Sequence, residues 1–155
     1  MKLVRYGAKG AEKPGLIDKS GQLRDLSAHV RDLDGEAYAP ASLAKLAALD
    51  TSKLPAVDGK QRLGAPVTGI SKFVAIGLNY AEHARETGFE PPTELPPIFA
   101  KFPSSITGAH GEVPLPEGGT VDWEVEVVAV VGSPMHRVAE ADVFAHLAGL
   151  TVGQD

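Results

Sequence analysis

The sequence predicts an α+β fold weighted towards β, on three observations. Its apolar residues come in short runs, the longest being Val127–Val131. Seventeen glycines and twelve prolines punctuate the 155 residues, so turns must be frequent and the elements between them short. Helical periodicity is confined to three brief stretches, whereas strand-like runs recur along the whole chain.

In chain order, Lys2–Tyr6 is the first predicted strand, with Pro14–Asp18 and Gln22–Leu26 as two more joined by the turn Lys19-Ser20-Gly21. A helix is predicted over Ala41–Leu49. Leu43, Leu46 and Leu49 recur every third residue with Ala47 alongside, and Pro40 suits the helix start. Pro55–Thr68 holds Pro55, Gly59, Gly64 and Pro66 and reads as a linker. These segments give a small leading α+β domain, residues 1–65. A second domain, residues 70–155, follows. It opens with the strand Phe73–Gly77, buried by composition, then a helix from Asn79 as N-cap to a stop at Gly88. Ile98–Phe102 is a short strand, Asp122–Val131 a strong one ended by Gly132-Ser-Pro134, Ala139–Leu147 a short helix, and Gly149–Val152 the start of another strand. Asp155 ends that strand with no tail composition after it, so the sequence is expected to be a fragment of a longer protein.

Composition excludes several function classes. A net charge of −5, a pI near 5.5 and no Lys/Arg run disfavour a nucleic-acid partner, which needs a basic surface. The absence of cysteine rules out disulfides, zinc–thiolate sites and a thiol nucleophile. The chain start lacks a signal-peptide h-region, and the longest apolar run is far too short for a membrane span, so a cytoplasmic protein with no membrane partner is expected.

Four constellations carry chemistry. In Asp122-Trp-Glu-Val-Glu126, residues two apart on a strand share a face about 6.5–7 Å from one another. The apolar residues that follow predict cover on both faces. Carboxylates in such a place repel one another and resist desolvation, and a divalent cation removes both costs. All-oxygen ligands favour Mg²⁺, Mn²⁺ or Ca²⁺ over zinc. The plainer alternative is a strand whose polar half begins in water. His83 and Glu86 lie three apart on a predicted helix, a spacing that lets a carboxylate orient an imidazole as general base, or makes an ordinary surface pair. Asp155, at the end of an apolar strand, either completes an oxygen site with Glu124 and Glu126 or caps a turn. Lys101, between bulky apolar residues, either reaches a substrate carboxylate or snorkels to water. His29, His110, His136 and His146 are scattered and read as structural or exposed.

Together and in this order, the segments resemble the fumarylacetoacetate hydrolase family. Gly77-Leu-Asn-Tyr-Ala-Glu-His83-Ala-Arg-Glu86 resembles its G-x-N-Y-x-x-H-x-x-E signature. Ile98-Phe-Ala-Lys-Phe-Pro-Ser104 resembles its F-x-K-P-S stretch with an extra Phe102, Asp122–Glu126 its paired-glutamate strand, and Gly149–Asp155 the strand ending in the third metal acid. The leading segment is similar to a branch that includes ureidoglycolate lyases and 2,4-diketo-3-deoxy-L-fuconate hydrolases.

The resemblance implies a mixed β-roll with short helices behind the small leading domain. It implies Mg²⁺, or Mn²⁺ or Ca²⁺, on Glu124, Glu126 and Asp155, water activation by His83 and Glu86, and Lys101 on the substrate. The implied activity is hydrolysis or lysis of a 2-oxo acid or 1,3-dicarbonyl carboxylic acid, with carbon–carbon cleavage through a metal-stabilised enolate, in a homodimer. Ureidoglycolate lyase, decarboxylase or isomerase chemistry is the alternative within the family, and a non-catalytic binding module the alternative outside it. Leu78 stands where some members have Arg, and the family continues beyond Asp155 with a further lysine.

Overall fold

The computed structural model describes residues 1–155. Its strands are β1 (Lys2–Tyr6), β2 (Lys13–Ile17), β3 (Leu23–Asp25), β4 (Phe73–Ile76), β5 (Ile98–Lys101), β6 (Val125–Val131) and β7 (Leu147–Gln154). Its α-helices are α1 (Pro40–Ala47) and α2 (Ala81–Glu86). The architecture is β-dominated with a few short helices, as the sequence predicts. No helix is long and apolar enough to cross a membrane. The chain forms two compact units, residues 1–69 with 107–155, and residues 70–106.

In the first unit, β1, β2 and β3 form an antiparallel meander. The β2–β3 turn is built by one side chain. Asp18 Oδ1 accepts from the Ser20 amide (2.9 Å), the Ser20 hydroxyl (2.6 Å) and the Gln22 amide (3.0 Å), while Gly21 supplies the positive φ of 86°. Arg24 Nε donates to the other Asp18 oxygen at 2.8 Å and ties the turn to β3. The leucine stripe of α1 behaves as expected: Leu46 packs with Leu16, Leu26 and Leu54 in one core cluster, with Leu49 at its edge.

A second cluster, Leu33, Ala37 and Tyr38, takes in Leu43, Val67, Val130 and Ala148. It therefore seats the root of the β6–β7 ribbon on the leading segment. The stretch Pro55–Thr68, expected to be a linker, is pinned by backbone bonds instead. The Val57 amide donates to Leu23 O (2.9 Å), the Gly7 amide to Arg62 O (2.9 Å), the Gly64 amide to Arg5 O (2.8 Å) and the Thr68 amide to Leu33 O (3.0 Å). Prolines and glycines there shape a strap along the edges of β1 and β3, whose free amides and carbonyls need partners.

An ion-pair network fastens this strap. Arg5 grips Asp32 through Nε and Nη2 with bonds of 2.7 and 3.0 Å, the same Nη2 lies 3.6 Å from Glu12, and Arg62 donates to Glu12 at 2.7 Å. The Arg62 hydrogen bond holds the Glu12 carboxyl below its ordinary range. Burial pushes Asp32 upwards, but the Arg5 fork and the Leu33 amide together outweigh it and the net direction is also down. Groups depressed in the folded state contribute stability above their unfolded pKa of about 4 and lose it as pH falls through the folded value. The melting midpoint should therefore be flat above about pH 5 and fall below about pH 4. Arg5→Met should cost about 2 kcal/mol near neutral pH, because it leaves the half-buried Asp32 carboxylate without its ion-pair partner while Glu12 keeps Arg62, and should flatten the acid slope. Thermal melts at several pH values would check both; an unchanged slope in Arg5→Met would sink the assignment.

In the second unit, β4 and β5 pair antiparallel with Phe73 opposite Lys101 and Ile76 opposite Ile98. Val74, Ile76 and Ile98 are exposed on one face, where sequence composition predicts burial. The reason is that a two-stranded hairpin supplies no covering layer of its own. Helix α2 begins at Tyr80 as N-cap with no side-chain cap bond, one residue later than the Asn79 expected, and Gly88 follows it at φ 80°.

Strands β6 and β7 pair antiparallel with an irregularity at Val130/Val131. The connection between them holds the short helix expected there, a 3-10 helix over Glu140–His146. Ser133 Oγ and His146 Nδ1 are 2.8 Å apart, and the Gly132 and Ser133 amides donate to His146 O, clamping the ribbon base. His146 is thus structural. One face of the ribbon is half-covered and the other exposed, with Val127 at 63% and Val152 at 73%. This corrects the expectation that both faces of β6 are covered.

Candidate functional site

The strand period of two decides which side chains of β6 and β7 can act together. Glu124 and Asp155 sit just outside the two named strands and extend their ladder. The Glu124 amide donates to Asp155 O at 3.0 Å, and the Asp155 amide donates to Glu124 O at 2.9 Å. Residues that exchange both bonds lie directly opposite one another, with Cα atoms about 5.5 Å apart and side chains on one face. Two residues along, Glu126 faces Gly153 in the register, on the same face as Glu124. Three of four adjacent positions are therefore carboxylates, and the fourth is a glycine.

Asp122 does not join them. It precedes the ladder, is exposed, and its Oδ1 accepts from the Trp123 amide at 2.8 Å. The exposed face opposite carries Val125, Val127, Leu150 and Val152, so alternation alone separates acid from apolar surface.

The donor set fits a hard divalent ion: all oxygen, net charge −3, on neighbouring positions of a single face. No three His, Asp or Glu side chains stand at ligand spacing in the structure. Closing the set on one ion would therefore require these side chains to move.

The remaining predicted site residues belong to the unit of residues 70–106. His83 and Glu86 occupy one face of α2 by their i,i+3 spacing, His83 half-buried and Glu86 exposed at the helix end. The His83 carbonyl accepts from the Thr87 amide (3.1 Å) and hydroxyl (3.0 Å), which fastens the last turn behind it. Lys101 ends β5 half-buried, its Nζ 5.1 Å from the Phe99 ring centroid, a cation–π distance.

Between β4 and α2, Leu78 has φ 52°, a left-handed conformation that a leucine adopts only under constraint. That turn sends the chain from the strand into the segment bearing Asn79, Tyr80 and His83. Sequence reading singled out Leu78 for its side chain; its backbone is the unusual feature. A depression of about 370 Å³ elsewhere, lined by His29, Arg31, Asp34 and Lys45 among others, contains none of the predicted site residues.

Residues 72–155 match the family profile described as fumarylacetoacetate (FAA) hydrolase C-terminal, which spans all six predicted site residues. A Burkholderia multivorans protein provisionally named a hydrolase is 49% identical over 156 residues, covering 100% of this chain and 55% of the relative. A Burkholderia cenocepacia protein with a similar provisional name is 48% identical with the same coverage. A solved structure of a protein from Mycobacterium smegmatis, provisionally named HpcE, superposes with a TM-score of 0.80 at 32% identity, over 100% of this chain and 55% of that one. Fumarylacetoacetate hydrolase from Exiguobacterium antarcticum shares the fold, with a TM-score of 0.74 at 22% identity. The chain spans about half the length of the relatives it matches.

Proposed function

Since this chain belongs to the fumarylacetoacetate hydrolase family, we propose that it serves a divalent-metal-dependent hydrolase or lyase acting on a 2-oxo acid or 1,3-dicarbonyl carboxylic acid. The observation that carries this reading is the register of β6 and β7, which sets Glu124 opposite Asp155 with Glu126 beside them on one face. Glu124, Glu126 and Asp155 would hold Mg²⁺, Mn²⁺ or Ca²⁺. When bound, such an ion supplies Lewis-acid polarisation of carbonyl oxygens and charge stabilisation as an enolate develops.

The chain's own residues do the rest. A ring nitrogen of His83 takes a proton from water, and Glu86, one turn along α2, favours the protonated imidazolium that results. The hydroxide adds to the substrate carbonyl, the adjacent carbon–carbon bond breaks, and the imidazolium returns its proton to the departing carbon. Lys101 pairs its ammonium with the substrate carboxylate. Lyase or decarboxylase chemistry would use the same acid cluster and would not require His83 to activate water.

Titration with Mg²⁺ or Mn²⁺ should raise the melting midpoint, because an ion that binds only the folded state stabilises it. No shift up to millimolar ion would refute the metal assignment. His83→Ala should lower hydrolysis of a panel of 2-oxo and 1,3-diketo acids by about 10²–10⁴-fold and leave the metal-induced shift intact. If the shift disappears as well, His83 is a ligand and the proton-transfer role is wrong.

A further inference from the structure

Two residues other than glycine have a left-handed backbone, Leu78 and Arg137, both at φ 52°. A leucine Cβ crowds the following carbonyl in that region, so the residue stays there when its surroundings hold it. The hold is visible on the strand side. Strand β4 pairs with β5 as far as Ile76, and the Gly77 amide donates to Pro97 O at 2.8 Å, which carries the ladder one residue further. The chain direction is therefore fixed up to Leu78, and the chain must turn there to enter α2 after Tyr80.

That turn controls the direction of α2. Six residues are too few for a helix to stand by itself. Ala84 is its one buried residue, so packing fixes the helix at a point and does not by itself fix where it aims. The N-cap residue Tyr80 makes no side-chain cap bond. The entry angle set at Leu78 supplies the missing constraint. His83 adjoins Ala84, so any swing of the helix about that point carries the imidazole with it.

We propose that Leu78 is a positioning residue for His83, acting through its left-handed backbone and not through its side chain. This rests on the proton-transfer role given to His83 above and adds the element that aims it. A general base must lie within hydrogen-bond reach of the proton that it takes, and a misplacement of about 1 Å can cost on the order of a hundredfold in rate.

Two kinds of substitution separate backbone from side chain. Leu78→Ile keeps size and apolarity but, being β-branched, resists positive φ. Leu78→Asn and Leu78→Gly discard the side chain and accept that conformation readily. Arg137→Ile imposes the same backbone conflict in the other unit, away from His83 in sequence, and serves as the control for strain alone. Turnover of a 2-oxo or 1,3-diketo acid is measured across pH, well below each melting midpoint. The His83 imidazole resonance is followed by NMR and assigned through its loss in His83→Ala.

Leu78→Ile should lower kcat about 10²-fold with KM little changed, lose the pH limb that His83→Ala also loses, and shift the resonance. Leu78→Asn and Leu78→Gly should keep the rate, the limb and the resonance. Arg137→Ile should melt lower yet match the unsubstituted chain in all three. A Leu78→Ile chain with unaltered kcat and resonance would overturn the proposal. So would Asn and Gly variants that fall as far as the Ile variant, since the side chain would then be what matters. Unchanged turnover in His83→Ala would instead overturn the role of His83, an outcome that the resonance keeps apart from failure of the turn to aim the ring.

Discussion

Glu124→Gln is expected to abolish tight divalent-ion binding and to lower turnover by at least about a thousandfold, the scale of a lost Lewis-acid contribution of several kcal/mol. The substitution is close to isosteric. The ladder bonds at position 124 run through its backbone amide and carbonyl, which glutamine keeps. Glu124 and Asp155 are directly opposed, and like charges across a ladder repel, so neutralising one should leave the metal-free melting midpoint unchanged or slightly raised. The diagnostic result is thus a pair: equal or better stability without metal, and loss of the Mg²⁺- or Mn²⁺-induced rise. A Glu124→Gln chain that still shows the full rise would show that the ion binds elsewhere.

Leu33→Ala should produce the largest loss of stability, about 3 kcal/mol for a fully buried leucine in a formed core. Leu33 has no exposed surface and is the centre of the cluster that joins Tyr38 and Val67 to Val130 and Ala148. Its truncation therefore removes packing beneath the ribbon as well as within the leading segment. The midpoint should drop by on the order of 10 °C, and amides of β6 and β7 should exchange faster. Leu95→Ala provides the contrast, since Leu95 is 81% exposed and its loss should be within about 0.5 kcal/mol. A Leu33→Ala midpoint within one or two degrees of the unsubstituted chain would contradict the cluster.

Features with a local cause were legible in the sequence. The strand at Lys2–Tyr6 and the turn at Ser20-Gly21 follow from apolar runs and turn chemistry that act over a few residues, and the structure has both. The same holds for α1, marked by Pro40 and its leucine stripe, and for the stop of α2 at Gly88. The pairing of Glu124 and Glu126 on one face needed only the period of two. The strap at 55–68 was misread because proline and glycine report the lack of regular structure, not the absence of partners. The short helix expected over 139–147 is present as a 3-10 helix over Glu140–His146, a distinction that apolar periodicity does not make in so short a piece.

By itself, then, the sequence determined a β-weighted chain of short elements, carrying an acidic strand and a His–Glu helix in a family-typical order. The tertiary structure alone decided that Asp155 faces Glu124, that a glycine occupies the position across from Glu126, and that one face of the ribbon is left exposed. Propensity and period are properties of neighbouring residues. Register between strands whose paired residues are 16 to 31 positions apart is a balance of packing and hydrogen bonding over the whole ladder, and a slip of one residue would have turned every one of these side chains to the other face.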